Sequence, residues 1–212
     1  MPQRRLLRQR EKILAKTRRV YYLTGAMTGV ACIAMQRLKV SRFSDLNDPL
    51  ELMAVNVNNK AMRRAFNATR TELNTATGLI CFTRDWKSPL MWGHYADKHA
   101  GMALGFDIPS ELLKDVNYAT RLSDLKIDQK TNKPDECTLN NLISTKFSEW
   151  SYEKECRLFV ELDTQEAEGG MYFLPFSDTL KFREIVLGPR STYKITDIRS
   201  LAKKLSGNDK LR

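Results

Sequence analysis

Residues 150–162 read WSYEKECRLFVEL. Leu158, Phe159 and Val160 make a continuous apolar run, which predicts a β-strand. Successive side chains of a strand point to opposite faces. Glu153, Glu155 and Arg157 then share one face, followed by Phe159, while Tyr152, Lys154, Cys156, Leu158 and Val160 take the other. Two carboxylates about 7 Å apart along a strand, with a guanidinium next to them, are costly neighbours for Phe159 unless they are paired. Two readings stay open: an ion-paired strand face, which is the commoner case on solvent faces, and a reaction centre. Trp150 and Tyr152 weigh towards the second, because a glutamate flanked by aromatic rings can keep the perturbed proton affinity that catalysis needs.

Outward from this stretch, the rest of the chain suits a single folded domain. A length of 212 residues with 42% hydrophobic residues builds a core without staples and excludes a disordered chain. The four cysteines, Cys32, Cys81, Cys137 and Cys156, show no CxxC spacing and follow no secretory signal, so free thiols in a reducing, cytoplasmic setting are expected. His94 and His99 lie five apart and lack the i, i+4 register for a shared metal, so no metal site is expected. No apolar run reaches the length of a membrane span.

The net charge of +10 sits at the ends. Residues 1–19 carry eight Lys/Arg and one Glu, and residues 181–212 carry nine Lys/Arg and three acids, whereas 20–180 is slightly acidic. The leader, with Leu6, Leu7, Ile13 and Leu14 among arginines, reads as a basic helix or arm. It either docks on nucleic acid or an acidic partner, or is a solvated helix without a ligand; a transit peptide fits less well, since serines are lacking.

Strands are expected at 20–24, 38–43, 78–83, 102–108, 150–162, 171–176 and 182–188. Helices are expected at 28–36, 52–74, from Ser88 and Pro89 towards Gly101, at 135–147, and at the C-terminus, where Thr196 or Asp197 caps and Gly207 follows. Asn47-Asp48-Pro49 is a turn signature. The sum is an α+β fold: one domain over 20–212 of short, mainly antiparallel strands with helices between them. Neither GxGxxG nor a Walker motif occurs, which disfavours a Rossmann or P-loop site.

Taken singly, these motifs have ordinary structural explanations: an Asx-Pro turn, a core helix with Trp92 and Tyr95 packed inward, satisfied histidines. Their succession, YYLT, LNDPLE, CFTRDWKSPLMWGHYADKHAGMALGFD, KFSEWSYEKECRLF and REIVLGPR, is more specific. Over about residues 20–190 it resembles a widespread bacterial family defined as a domain of unknown function. That family shows a YKYR-like start, an NDP-F/L-E turn, a CFS strand, an MWxxY helix and a WxxExExR strand.

More loosely, the layout resembles the ADP-ribosyltransferase fold, in which a late strand carries a catalytic Glu, often as ExE. This resemblance implies NAD as substrate and a macromolecular acceptor, protein or nucleic acid, with a toxin or phage-defence role by analogy. It implies Glu155 as the catalytic carboxylate and Glu153 as the acceptor-side base. Arg157 would orient Glu155 or meet a phosphate. Tyr22 would take the early-strand NAD contact, Thr83 the middle-strand hydroxyl place, and Trp92 and Tyr95 the aromatic walls; Asn47 and Asp48 would shape the loop nearby. The chain departs from the pattern with Tyr22-Leu23-Thr24 on the first strand and Thr83 in place of Ser. The alternatives are a non-enzymatic nucleotide- or partner-binding module with a structural Glu/Arg strand and, more weakly, a nuclease.

Overall fold

The computed structural model describes residues 16–48, 55–56, 60–121, 123–124, 126–128, 131, 133–164 and 167–206. The basic leader up to residue 15, Pro49 of the predicted turn, part of the predicted 52–74 helix and Gly207 lie outside the described residues.

The first strand, β1 (Thr17–Thr24), starts ahead of VYYLT and takes in Thr17, Arg18 and Arg19. Helix α1 (Ala26–Met35) and the short β2 (Arg37–Val40) follow. LKVSRF does not stay extended to its end: a 3-10 turn at Phe43–Asp45 cuts it short, and the Asp45 carboxylate accepts from the Arg42 amide. Next come α2 (Lys60–Ala76), β3 (Thr77–Thr83), α3 (Pro89–Tyr95) and β4 (Met102–Pro109). The second half holds β5 (Leu113–Asp115), β6 (Asn117–Ala119), α4 (Glu136–Ser144), β7 (Thr145–Phe147), β8 (Glu155–Glu161), β9 (Tyr172–Pro175), β10 (Lys181–Leu187) and α5 (Ile195–Ser206). Asp197 lies in the first turn of α5, where a carboxylate suits the helix dipole.

Six strands form one antiparallel sheet in the order β10-β4-β1-β3-β8-β5. The protein is therefore a single α+β domain with mainly antiparallel pairing, as the sequence predicts. Strand alternation gives the sheet two apolar faces. Val20, Ile80, Phe82, Leu104 and Phe106 pack with Cys32 and Ile33 of α1 and with Ile198 and Ala202 of α5. On the opposite face Leu79 packs with Phe66 of α2 and Leu142 of α4, and Leu23 and Ala103 pack with Met91 and Trp92 of α3. A fully buried side chain such as Phe106 contributes about 1.5–3 kcal/mol.

The central pairing is uneven. β1 and β4 pair along their whole length, from Thr17 opposite Pro109 to Thr24 opposite Met102. β3 and β8 do likewise, from Thr77 opposite Glu161 to Thr83 opposite Glu155. Between these two ladders, β1 meets β3 at one pair, Tyr21 opposite Thr83. Further along β3, Leu79 pairs with Ser41 instead. Ile80, Cys81 and Phe82 lie between those two contacts, and all three line a cleft.

The cysteines are free thiols: Cys32 and Cys156 buried, Cys81 half-buried and Cys137 exposed. Among the described residues, no helix is long and apolar enough to cross a membrane.

Candidate active site

Antiparallel pairing of β8 with β3 sets Glu155 opposite Thr83 and Arg157 opposite Cys81. Alternation turns Glu155 and Arg157 to the same face, as predicted for this strand. Arg157 Nε donates to Glu155 Oε1 at 2.8 Å and Nη1 to the Ile143 carbonyl at 2.8 Å. The guanidinium is completely buried, so it fixes the carboxylate from beneath.

Glu153 does not share that strand, contrary to the alternation reading. Ser148–Glu153 forms a 3-10 helix and Lys154 is left-handed, with φ of 44°. Two backbone bonds hold this reversal: the Lys154 amide to the Ser151 carbonyl, and the Arg84 amide to the Lys154 carbonyl. The strand begins at Glu155, and Glu153 enters the site from the turn.

What joins the two glutamates is Lys146, a residue the sequence reading missed. A helix over 135–147 would have placed Lys146 in its last turn and not on a strand. α4 instead stops at Ser144, Thr145 turns extended (φ −118°, ψ 136°), and β7 pairs in parallel with β6. The signal was present in Thr145-Lys146-Phe147, where a β-branched and an aromatic residue flank the lysine at strand spacing. Lys146 Nζ lies 2.7 Å from Glu153 Oε2 and 3.1 Å from Glu155 Oε2, and all three side chains are buried. Tyr95 donates its hydroxyl proton to Glu153 Oε1 in a short hydrogen bond. The Glu155 amide donates to the Tyr118 hydroxyl at 2.8 Å.

These surroundings move the two carboxyls in opposite directions. Burial alone would raise Glu155, but the charge of Arg157, then that of Lys146, outweighs it and holds the carboxyl at about 2. At Glu153 burial prevails over Lys146 and the Tyr95 hydrogen bond, and the carboxyl is raised above its ordinary value. Burial and the neighbouring Glu153 charge push the Tyr95 hydroxyl up as well. Burial would depress the Lys146 ammonium, but the charges of Glu155 and Glu153 raise it on balance, so it stays charged.

The cleft over this cluster has a volume of about 200 Å³. Of the residues expected at the site, Tyr22, Asn47, Thr83, Tyr95, Glu153, Glu155 and Arg157 all line it. Asp48 is buried and is not part of the lining. The Thr83 hydroxyl is engaged within the fold: it lies 2.6 Å from the Glu153 carbonyl and accepts from the Asp85 amide.

Trp92 is not a wall of the cleft. Its indole N–H donates to the Trp86 carbonyl at 2.6 Å, and the ring packs with Leu23 and Ala103. Helical pitch explains the difference: Met91 and Tyr95, four apart on α3, face the cleft together, and Trp92 lies a further 100° round the axis.

Residues 91–158 match the model of a family described as a protein of unknown function, DUF2971. The matched segment contains Tyr95, Lys146, Glu153, Glu155 and Arg157; Tyr22, Asn47 and Thr83 fall outside it. No curated protein gives a significant match to the chain, and neither does any solved structure.

Chemically, the site pairs a carboxylate that stays ionised with a carboxyl that holds a proton more readily, a few ångströms apart on one ammonium. Two such groups with opposed proton affinities divide naturally into a charge stabiliser and an acid/base.

Proposed function

We propose that the chain is an ADP-ribosyltransferase-type enzyme that cleaves NAD between nicotinamide and ribose and passes the ADP-ribosyl group to a macromolecule. The observation that carries this reading is the pair of buried carboxylates, Glu153 and Glu155, held on one ammonium on the floor of one cleft. As the C1′–N bond breaks, its electron pair leaves with neutral nicotinamide and positive charge develops on the ribose. A fixed carboxylate in a water-poor cleft stabilises that charge, and Glu155 is the group that stays ionised. The acceptor oxygen forms the new bond to C1′, and its proton passes to Glu153, whose own affinity for a proton is raised. Lys146 keeps the two carboxylates together, Arg157 orients Glu155, and Tyr95 orients Glu153. The late strand β8 with Glu155 at its start is what the resemblance to that enzyme class rests on, and by analogy the biological setting is a toxin or phage-defence effector.

One observation favours a second reading. Lys146, Glu153, Glu155 and Arg157 balance as two cations and two anions, as they would in a purely structural cluster of a nucleotide-binding module. Nicotinamide release from NAD separates the two. The wild-type protein, with cell lysate as acceptor, is expected to release nicotinamide, and Glu155→Gln to abolish release while keeping a cooperative thermal melt. Should Glu155→Gln not fold, Tyr95→Phe, which removes one hydroxyl, is expected to cut release at least tenfold with its melt intact. Absence of release from the wild type with and without lysate would overturn the enzyme reading in favour of the module.

A further inference from the structure

Three rings beside the charged cluster take no part in the chemistry above. His94, near the end of α3, stacks on Tyr152 with centroids 6.1 Å apart and planes at 30°. Trp150 stands edge-on to His94 at 6.5 Å and tilts against Tyr152 at 6.0 Å. A cluster serving only to glue α3 to the 3-10 turn would bury its rings, yet His94 is exposed and Trp150 and Tyr152 are only half-buried. The rings are also continuous with the cleft. Lys146 Nζ lies 5.0 Å from the Trp150 centroid and the Tyr95 ring 6.1 Å from His94, and both Lys146 and Tyr95 line the cleft.

The size of the cleft gives these rings an occupant. Small-molecule sites usually enclose roughly 300–1,000 Å³, whereas this cleft encloses about 200 Å³. A dinucleotide seated with one end in it would leave the other end outside. We propose that His94, Trp150 and Tyr152 form the surface on which the adenine ring of NAD stacks when its nicotinamide end is in the cleft. The identity of the ligand rests on the NAD-cleaving reading; the presence of a base-stacking surface does not. Aromatic rings are suited to this because a purine offers a flat π-face and needs no hydrogen-bond code to stack.

The test uses AMP, which carries the base without the nicotinamide, and nicotinamide mononucleotide, which carries the nicotinamide without the base. By titration calorimetry of the full chain, AMP is expected to bind the wild type. Binding should weaken roughly tenfold in His94→Ala and in Trp150→Ala, and be largely retained in Trp150→Phe. The exposed position of His94 keeps that variant informative if Trp150→Ala folds poorly. The KM for NAD should rise in step with the loss of AMP binding, with nicotinamide release from the mononucleotide unchanged. AMP binding without nicotinamide release would support the stacking surface and sink the NAD-cleaving reading alone. Nicotinamide release with no AMP binding, or AMP affinity unmoved in both alanine variants, would overturn the stacking surface. A single-stranded oligonucleotide that binds through these rings while AMP does not would likewise overturn it, and make the rings a contact for a nucleic-acid acceptor.

Discussion

Without the Lys146 ammonium, Glu153 and Glu155 would face each other across a buried gap with only Arg157 to offset them. Lys146→Met is therefore expected to cost about 3–5 kcal/mol at neutral pH. The deficit should shrink as the pH falls, because Glu153, already raised, takes up a proton first. Glu155 acts the other way. Its folded carboxyl holds a proton less tightly than an unfolded glutamate, near 4.3 as a rough reference, so its contribution is complete above that value. It is lost as the pH falls towards about 2. Urea midpoints between pH 8 and pH 2 check both: the wild type should lose stability steeply in the acid range, and Glu155→Gln should start lower and lose less. At this scale the sequence was informative about Glu155 and Arg157, because strand alternation dictates their shared face. It carried a strand signal around Lys146 but not the identity of its partners, which lie seven and nine residues on, across a turn that no short-range period describes.

The elements themselves were legible wherever a continuous apolar pattern ran through them, as in GLICFT and MALGFDI. Boundaries failed where tertiary contacts decide between similar local states. Thr145–Phe147 joined β6 instead of α4, and Glu153 closed a 3-10 helix instead of lying within the strand expected over 150–162. The helix begun at Ser88 also stops earlier than Gly101 suggests. After Tyr95 the chain passes through three consecutive left-handed residues, Asp97, Lys98 and His99, with φ of 49°, 49° and 75°. Each such L-residue costs about 1–2 kcal/mol, and the turn persists because its ends are pinned. A Cβ on Gly101 would stand 2.2 Å from the Thr24 carbonyl oxygen, and the Arg190 amide donates to the His99 carbonyl. Lys98→Gly is expected to relieve one of the three and raise the melting temperature by about 2–4 °C for a chain of this size. Gly101→Ala should lower it. Thermal melts of the two variants decide whether strain or close approach governs the turn.

At the scale of the whole molecule, the N-terminal strand lies inside the sheet, between β4 and β3, and not at an edge. The long ladder that secures β1 begins at Thr24 opposite Met102. Pairings this far apart in sequence predict refolding in milliseconds to seconds rather than microseconds, measurable by stopped-flow fluorescence. During synthesis, β1 waits for β4 for on the order of 4–16 s at ribosomal elongation rates. Throughout that interval VYYL is an unsatisfied β-forming segment on a nascent chain. A sheet threaded in this order exposes its newest product to chaperones and to misassembly before the cleft exists, so cellular yield should track the rate of translation through residues 24–102.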